Sequence, residues 1–397
     1  MKKIKVAWFC SLNPGKLTSE NDYFYNKKTF IISPWIDLSI TQFRLRNDIT
    51  LHIYSIDKNL KKDINIEDGN ISFHFISNKV PIINKPFPYF LNFLISFFFL
   101  KIKMKKIIKT LNPDIIDCHG TDQIFSTVIN SINKPTIITL SCFMMDLINS
   151  NKSLYNKCRF FIEKKVIKTQ NNYGIRANFM KSNILRFSKK ANFFWYNYPI
   201  YKPQIGNTVE QKKYDIAFFA RLEKNKGIED FIEVIRLLKK DFADVKAIII
   251  GGANQQYLEK IKLLILEKNV TENIEFTGFL PSINDVYEKL STAKIYLLPT
   301  YFDMIPGTLI EAMYLKIPSI SYNVGGISDL NVNRESVILV EAFDMNQLAL
   351  KCKYLLQNNN LAIELGINGH RTVNENYYLK NPIEDMINAY HQIIEKG

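Results

Sequence analysis

At 397 residues the chain suits two or three domains of roughly 150 residues each. Its composition, 47% hydrophobic and 23% charged with 15 Gly and 14 Pro, excludes a disordered, collagenous or low-complexity protein. Lys plus Arg exceed Asp plus Glu by 52 − 38 = 14, and the excess is one-sided: 30 − 13 = +17 before Ile200, 22 − 25 = −3 after it. A basic first half favours an anionic partner, whether nucleic acid, acidic substrate or phospholipid surface.

The opening MKKIKVAWFC has too short an apolar run, interrupted by Lys5, for a signal peptide and is expected to be a first buried strand, Ile4 to Phe9. Strands are expected next at Thr50 to Tyr54, Ile71 to Phe75, Ile115 to Asp117 and Thr136 to Leu140. Pro86 to Leu100 (PFPYFLNFLISFFFL) is short of the roughly 20 residues that span a bilayer. It runs into the cationic Lys101 to Lys106, and reads either as a core helix with a solvated basic end or as a helix lying in a membrane interface. Tyr198-Pro199-Ile200-Tyr201-Lys202-Pro203 and its polar continuation to Lys213 read as a linker.

Beyond Tyr214, β-rich runs (Asp215 to Phe219, Lys246 to Ile250, Ile274 to Thr277, Ile295 to Leu298, Ser319 to Tyr322) alternate with helix-like segments. Such alternation implies parallel strands with helical crossovers, so the expected fold class is α/β with two Rossmann-like, doubly wound domains. Cys10, Cys118, Cys142, Cys158 and Cys352 are odd in number and lack C-x-x-C spacing, which argues against a disulfide framework or zinc site and for a reducing compartment.

Ligands of open parallel sheets bind beyond the carboxyl ends of strands. Four loops of the second half lie at that rim: Ala220 to Gly227, Gly251 to Asn254, Thr300 to Thr308 and Asn323 to Gly326. Arg221 and Lys226 put two cations where a diphosphate could sit, although basic residues after strands are commonly solvated charges. Pro306-Gly307-Thr308 leads into Leu309 to Leu315, apolar nearly all round and so a buried helix whose first N–H groups suit a phosphate. Glu311, three residues after Thr308, has two readings: a capping box, or with Asp303 a pair of carboxylates that grip sugar hydroxyls.

Arg221-Leu222, Lys226-Gly227, Asp303 through Glu311-Ala312-Met313, Pro318 and Gly325-Gly326 together resemble the retaining glycosyltransferases of family 4. The tail Gly366 to Arg371 followed by Asn374 to Tyr378 is similar to that family's ending, and the likeness is thinner in Pro113 to His119 and Lys134 to Leu140. The resemblance implies the GT-B fold, with two Rossmann-like domains facing a cleft: 1–198 for the acceptor, a linker 199–213, 214–376 for the nucleotide sugar, and a crossover helix in 377–397 packing on the first domain. It implies that Arg221 and Lys226 bind the donor diphosphate, that Glu311 binds the ribose, and that Asp303 and His119 serve catalysis at the transferred sugar. Gly307, Thr308 and Leu309 would support phosphate or sugar through their backbone, Gly251, Asn254 and the Gly278 to Leu280 loop would surround the base, and Gly15 would approach the donor.

Three positions depart from the family pattern: Asp303 replaces a Glu, Ser141 replaces a His, and Asn13-Pro14-Gly15-Lys16 replaces paired glycines. The leaving diphosphate is met by cations and dipoles, so no cofactor and no metal are expected, in keeping with the lack of a D-x-D triplet. The expected activity is sugar transfer from a nucleotide-sugar donor to a lipid-linked, lipopolysaccharide or capsule glycan, in the cytoplasm or peripherally on the inner face of the plasma membrane, with an anionic membrane surface as a further partner. A nucleotide-sugar epimerase or hydrolase is the alternative; nucleic acid is not an expected partner, because the cations are mostly Lys without an RNA-binding motif.

Overall fold

The computed structural model describes residues 3–12, 34–57, 60–78, 89–121, 124–141, 143, 154–204 and 212–396. They fall into two units: Met1–Arg176 with Met180–Pro199 and Asn381–Gly397, and Ala177–Phe179 with Ile200–Lys380.

In the first unit, near-continuous apolar runs form strands covered on both faces. They are β1 (Ile4–Phe9), β2 (Ile49–Asp57), β3 (Ile64–Asp68), β4 (Ile71–Ser77), β5 (Ile115–His119), β6 (Thr136–Thr139), β7 (Asn172–Ile175) and β8 (Asn192–Trp195). Their order is β3-β4-β2-β1-β5-β6-β7-β8, and only the β3–β4 hairpin is antiparallel. The helices are α1 (Pro34–Arg44), α2 (Tyr89–Leu111), α3 (Ile124–Val128), α4 (Leu154–Thr169) and α5 (Asn178–Leu185). Right-handed crossovers carry α2, α3 and α4 over one face as the chain steps from β4 to β5, β6 and β7, while α1, stepping the other way from β1 to β2, covers the opposite face.

The C-terminal helix Pro382–Lys396 shares the α1 face: Ile383, Met386, Ile387, Tyr390 and Ile393 join a core cluster with Ile36, Ile40 and Phe43. A buried chain of polar atoms keys it into the sheet. Trp8 Nε1 donates to Tyr390 Oη (2.8 Å), which donates to Asp117 Oδ2 (2.6 Å). Thr139 Oγ1 donates to the same carboxylate oxygen (2.9 Å) and lies 2.6 Å from Tyr196 Oη.

The second unit holds β9 (Tyr214–Phe219), α6 (Ile228–Leu238), β10 (Ala247–Ile250), α7 (Gln255–Glu267), β11 (Ile274–Gly278), α8 (Ile283–Ser291), β12 (Ala293–Leu298), α9 (Gly307–Tyr314), β13 (Ser319–Tyr322), β14 (Ile338–Val340), α10 (Met345–Gln357) and α11 (Asn359–Val373). Its six strands are all parallel, in the order β11-β10-β9-β12-β13-β14. Strand order therefore reverses between β9 and β12, and the crevice beyond their carboxyl ends is the topological switch point where such sheets take ligands. Leu309, Ile310, Ala312 and Met313 are fully buried and hold α9 against the sheet; a truncation such as Leu309→Ala costs about 2–5 kcal/mol.

Every strand expected from the sequence forms. β3, β7, β8 and β14 were not expected, being short or polar at their starts, and β3, β8 and β14 lie at sheet edges or their ends. Among the described residues, no helix is long and apolar enough to cross a membrane.

Candidate functional site: the switch point of the second sheet

Two loops frame the switch point. After β9 the chain passes Arg221 to Gly227; after β12 it passes Thr300 to Pro306. They are tied together: Tyr301 N donates to Asn225 O (2.8 Å), and Thr300 Oγ1 lies 3.1 Å from the same carbonyl oxygen. Gly227 begins α6 at φ +74°, and a Cβ there would overlap Pro299 O, so only glycine lets the loops approach this closely. Gly325, at φ +57°, lies in the same way against Asp303 O. Asp230, buried in the first turn of α6, accepts from Tyr301 Oη and Tyr322 Oη, each at 2.6 Å, and fixes the β12 loop from below.

Within this frame Lys226 and Asp303 meet. Lys226 Nζ lies 2.7 Å from Asp303 Oδ2, with both side chains mostly shielded, and Thr300 Oγ1 donates to the same oxygen (2.9 Å). Arg221 is elsewhere: its side chain is 76% exposed and pairs with Glu223 at 3.2 Å. The structure thus joins one of the two expected cations to the expected acid and leaves the other in solvent.

The N-terminus of α9 excludes one of the two readings of Thr308 and Glu311, the capping box. Pro306 is the N-cap and makes no side-chain capping bond, so no capping box forms. Thr308 Oγ1 instead meets Tyr296 Oη (2.9 Å), which also donates to Phe219 O (2.9 Å) and so links the end of β9 to the helix. Leu309 N is taken by Pro306 O (3.2 Å), which leaves Gly307 and Thr308 as the backbone donors of the first turn among the described residues. A Cβ on Gly307 would meet only Glu311 Oε1, at 4.0 Å, so the space over this turn is open.

Glu311 is buried and its Oε2 has no hydrogen-bond partner. Burial without a compensating cation raises its pKa to about 8. Its charge is felt by Tyr287, Tyr296 and Tyr378, whose hydroxyls are themselves held above the ordinary range chiefly by burial. Tyr287 Oη is a second buried polar atom without a partner. A buried carboxylate oxygen without a partner at the start of α9 is an unmet demand for a donor.

The remaining expected residues are placed as follows. Gly251, at φ +145°, ends β10 against the Ala220 carbonyl, and Asn254 caps α7 by accepting from Tyr257 N (2.9 Å). In the first unit, His119 is buried between Trp8 and Trp35 (ring centroids 4.7 and 5.3 Å), with neither ring nitrogen hydrogen-bonded and Nε2 3.7 Å from Asp117 Oδ2. Its burial outweighs the nearby carboxylate and lowers its pKa, favouring neutral imidazole. Gly15 lies outside the described residues. Among the described residues, no three His, Cys, Asp or Glu side chains converge as a metal cluster. A hollow lined by Lys212, Lys213, Lys246, Glu272 and Glu275 opens at the opposite, amino-terminal ends of β9 to β11 and carries both signs of charge; it is not at the ligand rim.

Residues 204–372 match the family model described as "Glycosyl transferases group 1". The matched stretch is under half of the chain and is what the second unit is similar to. The matched stretch contains the whole switch-point site, and the named relatives are glycosyltransferases. The capsular polysaccharide biosynthesis glycosyltransferase CapH of Staphylococcus aureus is 23% identical over 298 residues, 72% of this chain and 77% of that protein. CapM of the same organism is 24% identical over 205 residues, 49% of this chain and 53% of that one. The chain thus spans about half the length of several curated relatives it matches. Sucrose-phosphate synthase from Thermosynechococcus elongatus superposes with a TM-score of 0.76 at 15% identity, covering 100% of both chains. At that identity the likeness is one of fold, and the fold is GT-B.

Tyr296, Thr300 and Asp230 are site-building residues that sequence reasoning missed. Tyr296 and Tyr322 sit inside strands, where an aromatic residue reads as core, and only the fold turns their hydroxyls to the rim.

Proposed function

We propose that this chain is a retaining glycosyltransferase that moves a sugar from a nucleotide-diphosphate donor to a lipid-linked, lipopolysaccharide or capsule glycan. The observation that carries the reading is Glu311, a buried carboxyl with an unpartnered oxygen beside the open first turn of α9. A vicinal diol, such as a nucleotide ribose, supplies the two O–H donors that a carboxylate in that position lacks. Lys226 and the free N–H groups of Gly307 and Thr308 then face the diphosphate, where cation and helix dipole stabilise the charge that grows as it leaves.

Asp303 plays two parts in this scheme. It holds Lys226 in place before the donor binds, and its other oxygen, Oδ1, is left for the transferred sugar. Retention of configuration follows if the acceptor hydroxyl attacks from the face that the diphosphate leaves, with a donor phosphate oxygen taking the proton. In this reading no metal takes part. The capsule relatives support a glycan acceptor, and the basic first half supports one carried on an anionic membrane at the inner face of the cell.

The test is transfer from a panel of nucleotide sugars to membrane-extracted lipid-linked glycans, with excess chelator and with the anomeric configuration of the product read by NMR. Chelator-resistant transfer with a retained anomer supports the proposal; an isomerised nucleotide sugar formed without acceptor points to an epimerase and overturns it.

A further inference from the structure

The outer layer formed by α2, α3 and α4 carries an apolar and cationic surface that the transfer chemistry does not use. At 100° per residue, Leu100, Met104 and Ile108 of α2 point inward and are buried. The opposite stripe, Phe98, Ile102, Lys105, Lys106 and Lys109, is exposed. Phe98 is 61% and Ile102 52% exposed, and the Phe98 ring meets Phe99 edge-on at 6.0 Å. On α4 the exposed stripe is Lys157, Phe161, Lys165 and Lys168, with Phe161 69% exposed between lysines one turn away on each side.

Charge on the two helices has one sign. α2 contains Lys101, Lys103, Lys105, Lys106 and Lys109 and no acid; α4 contains Lys157, Arg159, Lys164, Lys165 and Lys168 and one acid. That acid, Glu163, is buried and accepts from Thr121 Oγ1 at 2.6 Å, so it does not offset the surface. The two helices therefore carry 5 + 5 − 1 = +9. Among these cations, Lys103 pairs with Asp63 at 2.6 Å.

From this we infer that the α2–α4 layer is a docking surface for an anionic phospholipid bilayer: Phe98, Ile102 and Phe161 enter the interface while the lysines beside them meet the headgroups. Large exposed apolar side chains set among lysines match the interfacial mode of membrane binding, in which burial and headgroup attraction add. A nucleic acid would find the same charge, but a single Arg among ten cations offers little bidentate phosphate or base contact. The purpose of the surface rests on the proposed membrane-borne acceptor; its measurement does not.

The test is flotation of the full chain with vesicles of phosphatidylglycerol in phosphatidylcholine, against pure phosphatidylcholine, at low and at molar salt. Binding is expected only to the anionic vesicles and is expected to fall at high salt. The pair Lys105→Glu/Lys106→Glu should weaken partitioning roughly a hundredfold, and Phe98→Ser/Phe161→Ser about tenfold. Lys262→Glu, an exposed lysine of the second unit, should leave it unchanged. Far-UV circular dichroism checks that each variant folds, and thermal stabilisation by nucleotide sugars reads the donor site separately. Absence of binding, equal binding to neutral vesicles, indifference to both pairs of substitutions, or self-association through this layer each overturns the inference, and donor binding that persists in those cases leaves the transferase reading standing.

Discussion

Glu311→Gln should remove a pH dependence from the stability of the empty protein, so that the variant gains on the wild type as pH rises. Burial lifts the Glu311 carboxyl to about 8 from an ordinary 4.5, so the folded state holds its proton through a window in which the unfolded chain has released it. Stability is then fully present below about 4.5 and drains away as pH rises to about 8. Each pH unit inside the window is worth about 1.4 kcal/mol, which gives roughly 3 kcal/mol between pH 5 and pH 7. Gln cannot ionise and loses this slope, although its buried amide keeps a pH-independent cost of about 1–3 kcal/mol for unmet hydrogen bonds. Differential scanning calorimetry of both proteins from pH 5 to pH 8 should show the transition of the second unit falling by roughly 5–10 °C more in the wild type. Parallel pH profiles would mean that Glu311 is ionised and satisfied at all these values, and the argument from its unpartnered oxygen would fail.

Other consequences are open to measurement. Nucleotide-sugar affinity should rise with pH up to about 8, because the diol is bound by the carboxylate; calorimetry in buffers of different ionisation enthalpy should show a proton released on binding, and uptake would contradict this. Asp303→Asn removes the countercharge that holds Lys226; steady-state kinetics should show kcat and kcat/KM falling together, whereas a raised KM at unchanged kcat would assign Asp303 to ground-state binding alone. Tyr390→Phe strips Trp8 Nε1 and Asp117 Oδ2 of a buried partner and should cost about 1–3 kcal/mol in chemical denaturation of the first unit; a loss below a few tenths would show the network to be idle. Gly325→Ala forces a Cβ onto Asp303 O at positive φ, and should reduce donor binding as well as melting temperature; unchanged binding would detach that loop from the site.

The sheets were legible because their inner strands are apolar runs that few other structures accommodate. Ile4–Phe9 and Ser319–Tyr322 appear with the bounds read from sequence alone. Ile338–Val340 was not legible, since three residues at a sheet edge need little apolar character and leave no period to detect. The site was half legible. Lys226, Asp303 and Glu311 could be marked because a parallel sheet exposes its loops at one rim, but the 2.7 Å pairing of Lys226 with Asp303 spans 77 positions and depends on Gly227 and Gly325 pressing loops together. The T-x-x-E pattern allowed a capping box as one reading, and none forms because the helix begins at Gly307, one residue before Thr308, under Pro306. Arg221 and Lys226 look equivalent in sequence; one finds Asp303 and the other Glu223.

Isothermal titration of a nucleotide-diphosphate sugar into the wild type, Lys226→Met and Glu311→Ala tests the donor site most directly. Each substitution is expected to weaken binding by at least about tenfold, corresponding to about 1.4 kcal/mol or more, with Arg221→Met losing less than Lys226→Met. Undiminished affinity in both Lys226→Met and Glu311→Ala would place the donor somewhere other than the switch point of the second sheet.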